Sequence, residues 1–265
     1  MYYLSIITVA YNNKDGLIRT RDSILPLPDN CEWIIIDAAS TDGTKEILND
    51  LPKQNNIRWI SEPDKGLFDG MNKGVDLAKG KYLNFMNSGD FYNRSAFEEV
   101  CKNEYNTDDI IVYDYFPVNA KLEHAYSRKF TNEIDTLKKY DCVPHQSTLI
   151  SYKTFKKIGK YDLKFKYTAD YEYFVKAYTN NCNFKFDESL KLAYFVQDGI
   201  TGTLRLSLKQ GKEVKKIQLK YFKTYSKKIF FIYIIKYIIS FLPQSKKIYD
   251  FLRVKLLNKK NFNEQ

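Results

Sequence analysis

The sequence has little of what usually holds a metal or closes a covalent cross-link. Of 265 residues only four are Cys and two are His, and Cys31, Cys101, Cys142 and Cys182 lie far apart with no C-x-x-C pair. That spacing argues against a thiolate or imidazole zinc site and leaves reduced thiols as the expectation. Neither G-x-x-x-x-G-K-[ST] nor a G-x-G-x-x-G after the first strand is present. Without them a P-loop and a dinucleotide fingerprint are excluded, so a bound nucleotide needs another way to neutralise its phosphates. The apolar run IFFIYIIKYIISFL (229–242) has 14 residues and is interrupted by Lys236. As a helix it rises about 21 Å, short of the ~30 Å hydrocarbon core. A secretory signal is not expected, because Met1-Tyr2-Tyr3 carries no basic segment and Leu4–Ala10 ends at Tyr11-Asn12-Asn13. Acidic residues are scarce in the tail. From Arg205 onward there are 16 basic and 3 acidic residues, against 26 and 29 in residues 1–204, so the net charge of +10 belongs to the tail.

What the sequence does have is a core. With 44% hydrophobic residues, including 22 Tyr and 18 Phe, it suits one large α/β domain or one domain with an appendage. The run YLSIITVA (3–10) is apolar and β-branched, as in strands buried in a parallel sheet. A helix over 17–24 follows, then strand 33–36, loop 37–43, helix 44–51, strand 57–60, a Gly-punctuated loop, helix 69–78 and strand 82–86. Alternating β and α predicts a mostly parallel sheet with helices on both faces. Beyond residue 91 the spacing predicts strands over 110–113, 125–130 and 147–150. A helix should start near Asp170, with Phe174, Ala177 and Tyr178 on its buried face.

In such sheets ligands bind beyond the carboxyl ends of the strands. The residues there are Tyr11, Asp37, the Glu62–Gly70 loop and Asp90, the last delivered by the stretch GKYLNFMNSGDFYN (80–93). An acid at one strand end can simply face water, but acids at three of these four positions converge on one edge. Asp170, at or beside a helix start, has the alternative role of an N-cap.

The tail, 205–265, reads as helical. Lys209, Lys212, Lys215, Lys216, Lys220, Lys223, Lys227 and Lys228 stud its first part, and a second amphipathic piece runs from Lys246 to Leu257. Lysines beside an apolar band suit an anionic membrane surface, at roughly 1 kcal/mol per charge. The alternatives are a hairpin packed on the domain with a solvated basic face, and a nucleic-acid contact. No nucleic acid is expected, since the charges flank an apolar core without spaced, exposed aromatics.

With these pieces placed, the sequence resembles the inverting family-two glycosyltransferases of the GT-A fold, in particular small bacterial enzymes that build surface polysaccharides. The matching stretches are SIITVAYNN (5–13), IIIDAASTDGT (34–44), SEPDKGLFDGMNKG (61–74) and LNFMNSGD (83–90), with PHQS (144–147) and ADYE (169–172) matching more loosely. The resemblance covers about the first 200 residues. It implies a Rossmann-like GT-A domain over 1–204, with a nucleotide-sugar half (1–92) and an acceptor half (93–204), plus the basic amphipathic extension 205–265. It further implies a nucleotide-diphosphate sugar donor, UDP-linked by preference. Thr8 and Tyr11 would line the base, Asp37 would read the uracil N3–H, and Lys65, Asp69 and Ser88 would contact the donor. Asp69 could equally be a helix-start cap. Asp90 would hold Mn2+ or Mg2+, although Asn87 and Gly89 stand where the family commonly has further acids.

Asp170 would be the base that deprotonates a glycan or lipid-linked glycan hydroxyl. Ala169 replaces the commoner Glu there, so Glu172 is a rival. His145, Gln146 and Glu172 would lie on the acceptor side, and VQDGITGT (196–203) near the donor. The implied location is the cytoplasmic face of the cell membrane. Two other readings use the same residues: a non-catalytic sugar-nucleotide or membrane-surface binder, and a nucleic-acid binder acting through the tail.

Overall fold

The structure, a computed structural model, describes residues 2–103, 110–119, 121–122, 137–138, 143–196, 204–245 and 248–249. The predicted strand over 125–130, most of the loop 196–203 and most of the second amphipathic piece lie outside the described residues.

The first half alternates as the apolar pattern requires: β1 (Leu4–Ala10), α1 (Lys14–Ile24), β2 (Cys31–Asp37), α2 (Thr44–Asn49), β3 (Ile57–Ser61), α3 (Leu67–Leu77) and β4 (Tyr82–Phe85). Then follow β5 (Phe91–Tyr92), α4 (Arg94–Asn103), β6 (Ile110–Val118), a 3-10 turn (His145–Ser147), β7 (Thr148–Ser151), α5 (Tyr152–Ile158), α6 (Ala169–Thr179), β8 (Phe184–Val196), α7 (Ser207–Phe222) and α8 (Lys227–Ile239).

The sheet has the order β3-β2-β1-β4-β7-β6-β8-β5. Its first four strands are parallel, β7 is antiparallel to both β4 and β6, and β8 runs parallel to β6 but antiparallel to β5. β1 and β2 are buried at every position, which is why they read as continuous apolar runs. Successive side chains go to opposite layers. Ile7, Val9, Ile34 and Ile36 join Phe68, Met71 and Val75 of α3 and the apolar residues of α6. Leu4, Ile6, Trp33 and Ile35 join Leu17 and Ile24 of α1 and Phe97 of α4. Close approach of α3 to β1 depends on Gly74, where an added Cβ would stand 2.4 Å from Ile7 Cγ2.

The strand that most shapes the carboxyl edge of the sheet is β7, through its antiparallel return. Tyr82 pairs with Ser151 and Leu83 with Ile150, so the beginning of β7 lies beside the carboxyl end of β4 and the residues before it lie beyond that end. The turn at His145–Ser147 is thereby carried to the strand edge where Asp90 emerges.

The tail divides. Val214 and Ile217 of α7 are buried in the same apolar cluster as α6, so this helix packs on the domain. α8 folds back over α7, with Tyr233 against Gly211, and turns the other way: Phe231, Ile235, Ile238 and Leu242 are exposed at helical spacing. No helix among the described residues is long and apolar enough to cross a membrane.

Candidate active site

Two groups of polar side chains stand at the carboxyl edge of the parallel strands. On the β1–β3 side, Asp37 is the last residue of β2 and is fully buried. Its Oδ1 accepts from Ser40 Oγ at 2.5 Å, and its Oδ2 from Ser40 N at 3.1 Å and Ser61 Oγ at 2.6 Å. Three of about four lone-pair sites are therefore in use. Tyr11, just past β1, is 60% exposed and offers a free ring face. Thr8 does not line an opening: it is fully buried and its hydroxyl accepts from Trp33 Nε1 at 2.9 Å. It sits on β1 among buried residues, beneath the edge.

The loop before α3 folds on itself. Lys65 N donates to Asp69 Oδ2 at 3.0 Å, the reach-back of an acid in a helix's first turn. Asp64, which sequence reasoning passed over, is the more suggestive residue. Its Oδ1 accepts from Gly66 N, while Oδ2 is buried without a hydrogen-bond partner and its carboxyl is pushed up by burial. The Gly66 hydrogen bond and Lys73 oppose that shift, and the negative charges of Asp69 and Asp37 add to it. The signal lay in D-x-G ahead of the helix, where the glycine N–H caps the acid.

The second group forms around the turn after β4. Ser88 is clasped to Asn13, its Oγ donating to Asn13 O at 3.1 Å and its carbonyl accepting from Asn13 Nδ2 at 2.9 Å. Asp90 points inward. Oδ1 accepts from Val196 N at 2.9 Å at the end of β8, and Oδ2 accepts from Gln146 Nε2 at 2.9 Å. Burial dominates its titration and raises it to about 6, partly countered by those two donors, His145 and Arg19. Asn87 Nδ2 lies 3.1 Å from His145 Nε2, and His145 Nδ1 lies 3.5 Å from Asp170 Oδ2 in the first turn of α6. The N-cap residue of α6 is Thr168, and Asp170 takes a first-turn N–H, that of Tyr171, on Oδ1 at 2.8 Å while its Oδ2 faces His145.

What holds this turn is Asn84, the one polar residue inside β4. It is fully buried, and its Nδ2 donates to the carbonyls of His145, Gln146 and Thr148 at 3.3, 3.0 and 3.0 Å, while its Oδ1 accepts from Tyr92 OH at 2.5 Å. A polar residue interrupting an apolar strand was the available sequence signal. Glu172 is placed elsewhere. It is buried between α6 and α7, against Lys220 Nζ at 3.0 Å, the Tyr221 hydroxyl and Lys176 Nζ at 3.9 Å. Thus Asp90, Gln146, His145 and Asp170 are brought together, Asp37 shares their strand edge, and Glu172 faces α7.

Among the described residues no three His, Cys, Asp or Glu side chains form a metal cluster. A cation ligated mainly by phosphates and water needs less. For such a cation Asp90 would supply one carboxylate, and Asn87 Oδ1, buried without a hydrogen-bond partner, would supply a second oxygen from the same turn.

Residues 5–163 match the family model described as Glycosyl transferase family 2. The chain belongs to this family. An uncharacterized glycosyltransferase of Mycobacterium tuberculosis is 30% identical over 190 residues, 66% of this chain and 68% of that one. The Escherichia coli UDP-Glc:alpha-D-GlcNAc-diphosphoundecaprenol beta-1,3-glucosyltransferase WfaP is 30% identical over 145 residues, 50% of this chain and 58% of that one. In three dimensions, a Pyrobaculum calidifontis mannosyltransferase in complex with GDP-Man and Mn2+ superposes with a TM-score of 0.66 at 12% identity, over 97% of this chain and 81% of that one. At that identity the likeness concerns the fold, which is the GT-A arrangement of this family-2 glycosyltransferase. The family match takes in the turn after β4 and the His145–Ser147 turn, and ends before α6.

Proposed function

We propose that this glycosyltransferase moves a sugar, with inversion, from a UDP-sugar to a hydroxyl of a lipid-linked glycan during bacterial surface polysaccharide synthesis. The observation that carries this reading is the meeting of Asp90 and Asp170 through the single turn His145–Gln146. Asp170 takes the acceptor proton, and Asp90 with Asn87 would hold Mn2+ or Mg2+. A cation there would supply charge to neutralise the departing diphosphate. Tyr11 and Asp37 take the base, with Asp64, Lys65 and Asp69 in the loop beside it. The E. coli relative's name gives a UDP-glucose donor and a lipid diphosphate acceptor, which favours the same pair of classes here.

A thermal-shift screen of UDP-, GDP- and TDP-sugars tests the donor side. The best UDP-sugar, at 100 times its dissociation constant, should stabilise the protein by about 2.7 kcal/mol. Asp37→Ala should abolish that shift. The Mn2+-dependent part should be present at pH 7.5 and lost at pH 5, because Asp90 becomes protonated below about 6 and the neutral carboxyl no longer attracts or ligates a cation. An equal response to every nucleotide base would sink the role given to Asp37.

The tail is proposed to hold the enzyme on an anionic bilayer. α8 presents Phe231, Ile235, Ile238 and Leu242 outward, and the exposed Lys209, Lys212, Lys216, Lys220 and Lys223 form a stripe along α7. Each large apolar side chain buried in lipid contributes about 1.5–3 kcal/mol. The protein should co-sediment with phosphatidylglycerol vesicles at low salt but not with pure phosphatidylcholine, and Phe231→Asp with Ile238→Asp should reduce binding by more than about tenfold. Equal binding to both vesicle types would refute the electrostatic part.

A further inference from the structure

The His145 ring is held at both nitrogens by groups from different parts of the chain. Nε2 faces the amide nitrogen of Asn87, in the turn that carries Asp90, and Nδ1 faces Asp170 Oδ2 on α6. With the Asn87 amide turned so that Nδ2 faces Nε2, that nitrogen is the acceptor of the neutral ring, and the ring's single proton then sits on Nδ1, on the side of Asp170. The backbone beneath is fixed just as firmly: Asn84 donates to the carbonyls of His145 and its neighbours, and Ser147 N closes the turn onto Pro144 O at 2.9 Å. Side-chain exposures of 12% for His145 and 21% for Asp170 leave the carboxylate reachable and its partner largely covered.

We infer that His145 is a positioning residue for Asp170: Asn87 fixes its tautomer, and the Nδ1–H so created orients the carboxylate that takes the acceptor proton. This rests on the base role proposed for Asp170, while the contact itself does not. The 3.5 Å separation is long for a hydrogen bond, as in many active sites without substrate, and is expected to tighten when the acceptor binds. The arrangement ties the two halves of the reaction mechanically. The turn that manages the leaving group also sets, through one imidazole, the direction of the base.

The chain has only two histidines, His124 and His145. The ring nitrogens can therefore be read by 15N NMR in the full-length protein, with His124→Gln assigning the second signal. The neutral His145 ring should be the Nδ1–H tautomer, with that proton protected from water exchange. Asn87→Asp puts an acceptor opposite Nε2 and should move the proton there, and Asp170→Ala should remove the protection. An Nε2–H tautomer in the wild type, or protection that survives Asp170→Ala, overturns the inference.

Kinetics supply a second readout, with UDP release measured from whichever UDP-sugar gives the largest thermal shift. Asn places its amide nitrogen near the position of Nδ1, and Gln places its own near Nε2. His145→Asn should stay within about threefold of wild-type kcat and His145→Gln should lose about tenfold or more, with donor KM unchanged in both. Equal losses, or a loss confined to KM, also overturn it. Full turnover in Asp170→Asn would instead overturn the base assignment and leave the NMR result standing.

Discussion

Asp170→Asn is expected to lower kcat for sugar transfer by about a thousandfold while leaving the thermal shift with UDP-sugar and Mn2+ unchanged. The amide keeps the volume of the carboxylate. It can still accept from Tyr171 N, which donates to Asp170 Oδ1 at 2.8 Å, and it can still face His145. What it cannot do is take a proton. A thousandfold loss corresponds to about 4 kcal/mol of transition-state stabilisation, within the range for one general base. Turnover within about tenfold of wild type would assign the base elsewhere. Wild-type protein that binds the donor with Mn2+ but shows neither transfer nor hydrolysis would favour the non-catalytic reading.

Glu172→Gln is expected to lower the unfolding free energy by about 3 kcal/mol, read as a shift in the urea midpoint. Glu172 is 1% exposed, contacts Lys220 and the Tyr221 hydroxyl from α7 and Lys176 from α6, and so clasps the two helices. Burial, then the hydrogen bond to Glu172, pushes the Tyr221 phenol up to about 12, so it remains a donor throughout the working range. Neutralising the acid leaves Lys176 half-buried without its counter-charge, and burial already holds that ammonium below its usual range. Lys220→Met should cost less, because Lys220 is 48% exposed and water can replace the ion pair. Glu172→Leu combined with Lys176→Met, Lys220→Met and Tyr221→Phe should recover most of the stability, as apolar replacement of a whole buried ionic cluster does elsewhere. Turnover per folded molecule should stay near wild type, separating a clasp from an acceptor contact. A midpoint unchanged by Glu172→Gln would sink the clasp.

The parallel half of the sheet was legible because its strands are buried on both faces and show this as continuous apolar runs. β1 to β4 fall within one or two residues of the expected bounds. The β-α alternation also put Asp37 and Asp90 at strand ends, which is a local property. Past residue 91 local pattern said less. β8 (Phe184–Val196) alternates irregularly and was not expected, and seven of the eleven residues of α6 are buried, more than one face of it. Enclosure by α5, α7 and the sheet hides the periodicity that an amphipathic helix would display.

The site divides in the same way. By itself the sequence determined that a parallel α/β domain carries acids at its strand ends, that the motifs are those of family 2, and that the positive charge lies in the tail, because each follows from neighbouring residues. Only the tertiary structure decided which acids meet. The antiparallel return of β7 places His145 and Gln146 between Asp90 and Asp170, while Glu172, two residues along the same helix, points at α7. Residues two apart on a helix face about 200° away from each other, so one can serve the site while the other holds the tail. Which of them does so depends on what packs on each face, and that is fixed by contacts distant in sequence.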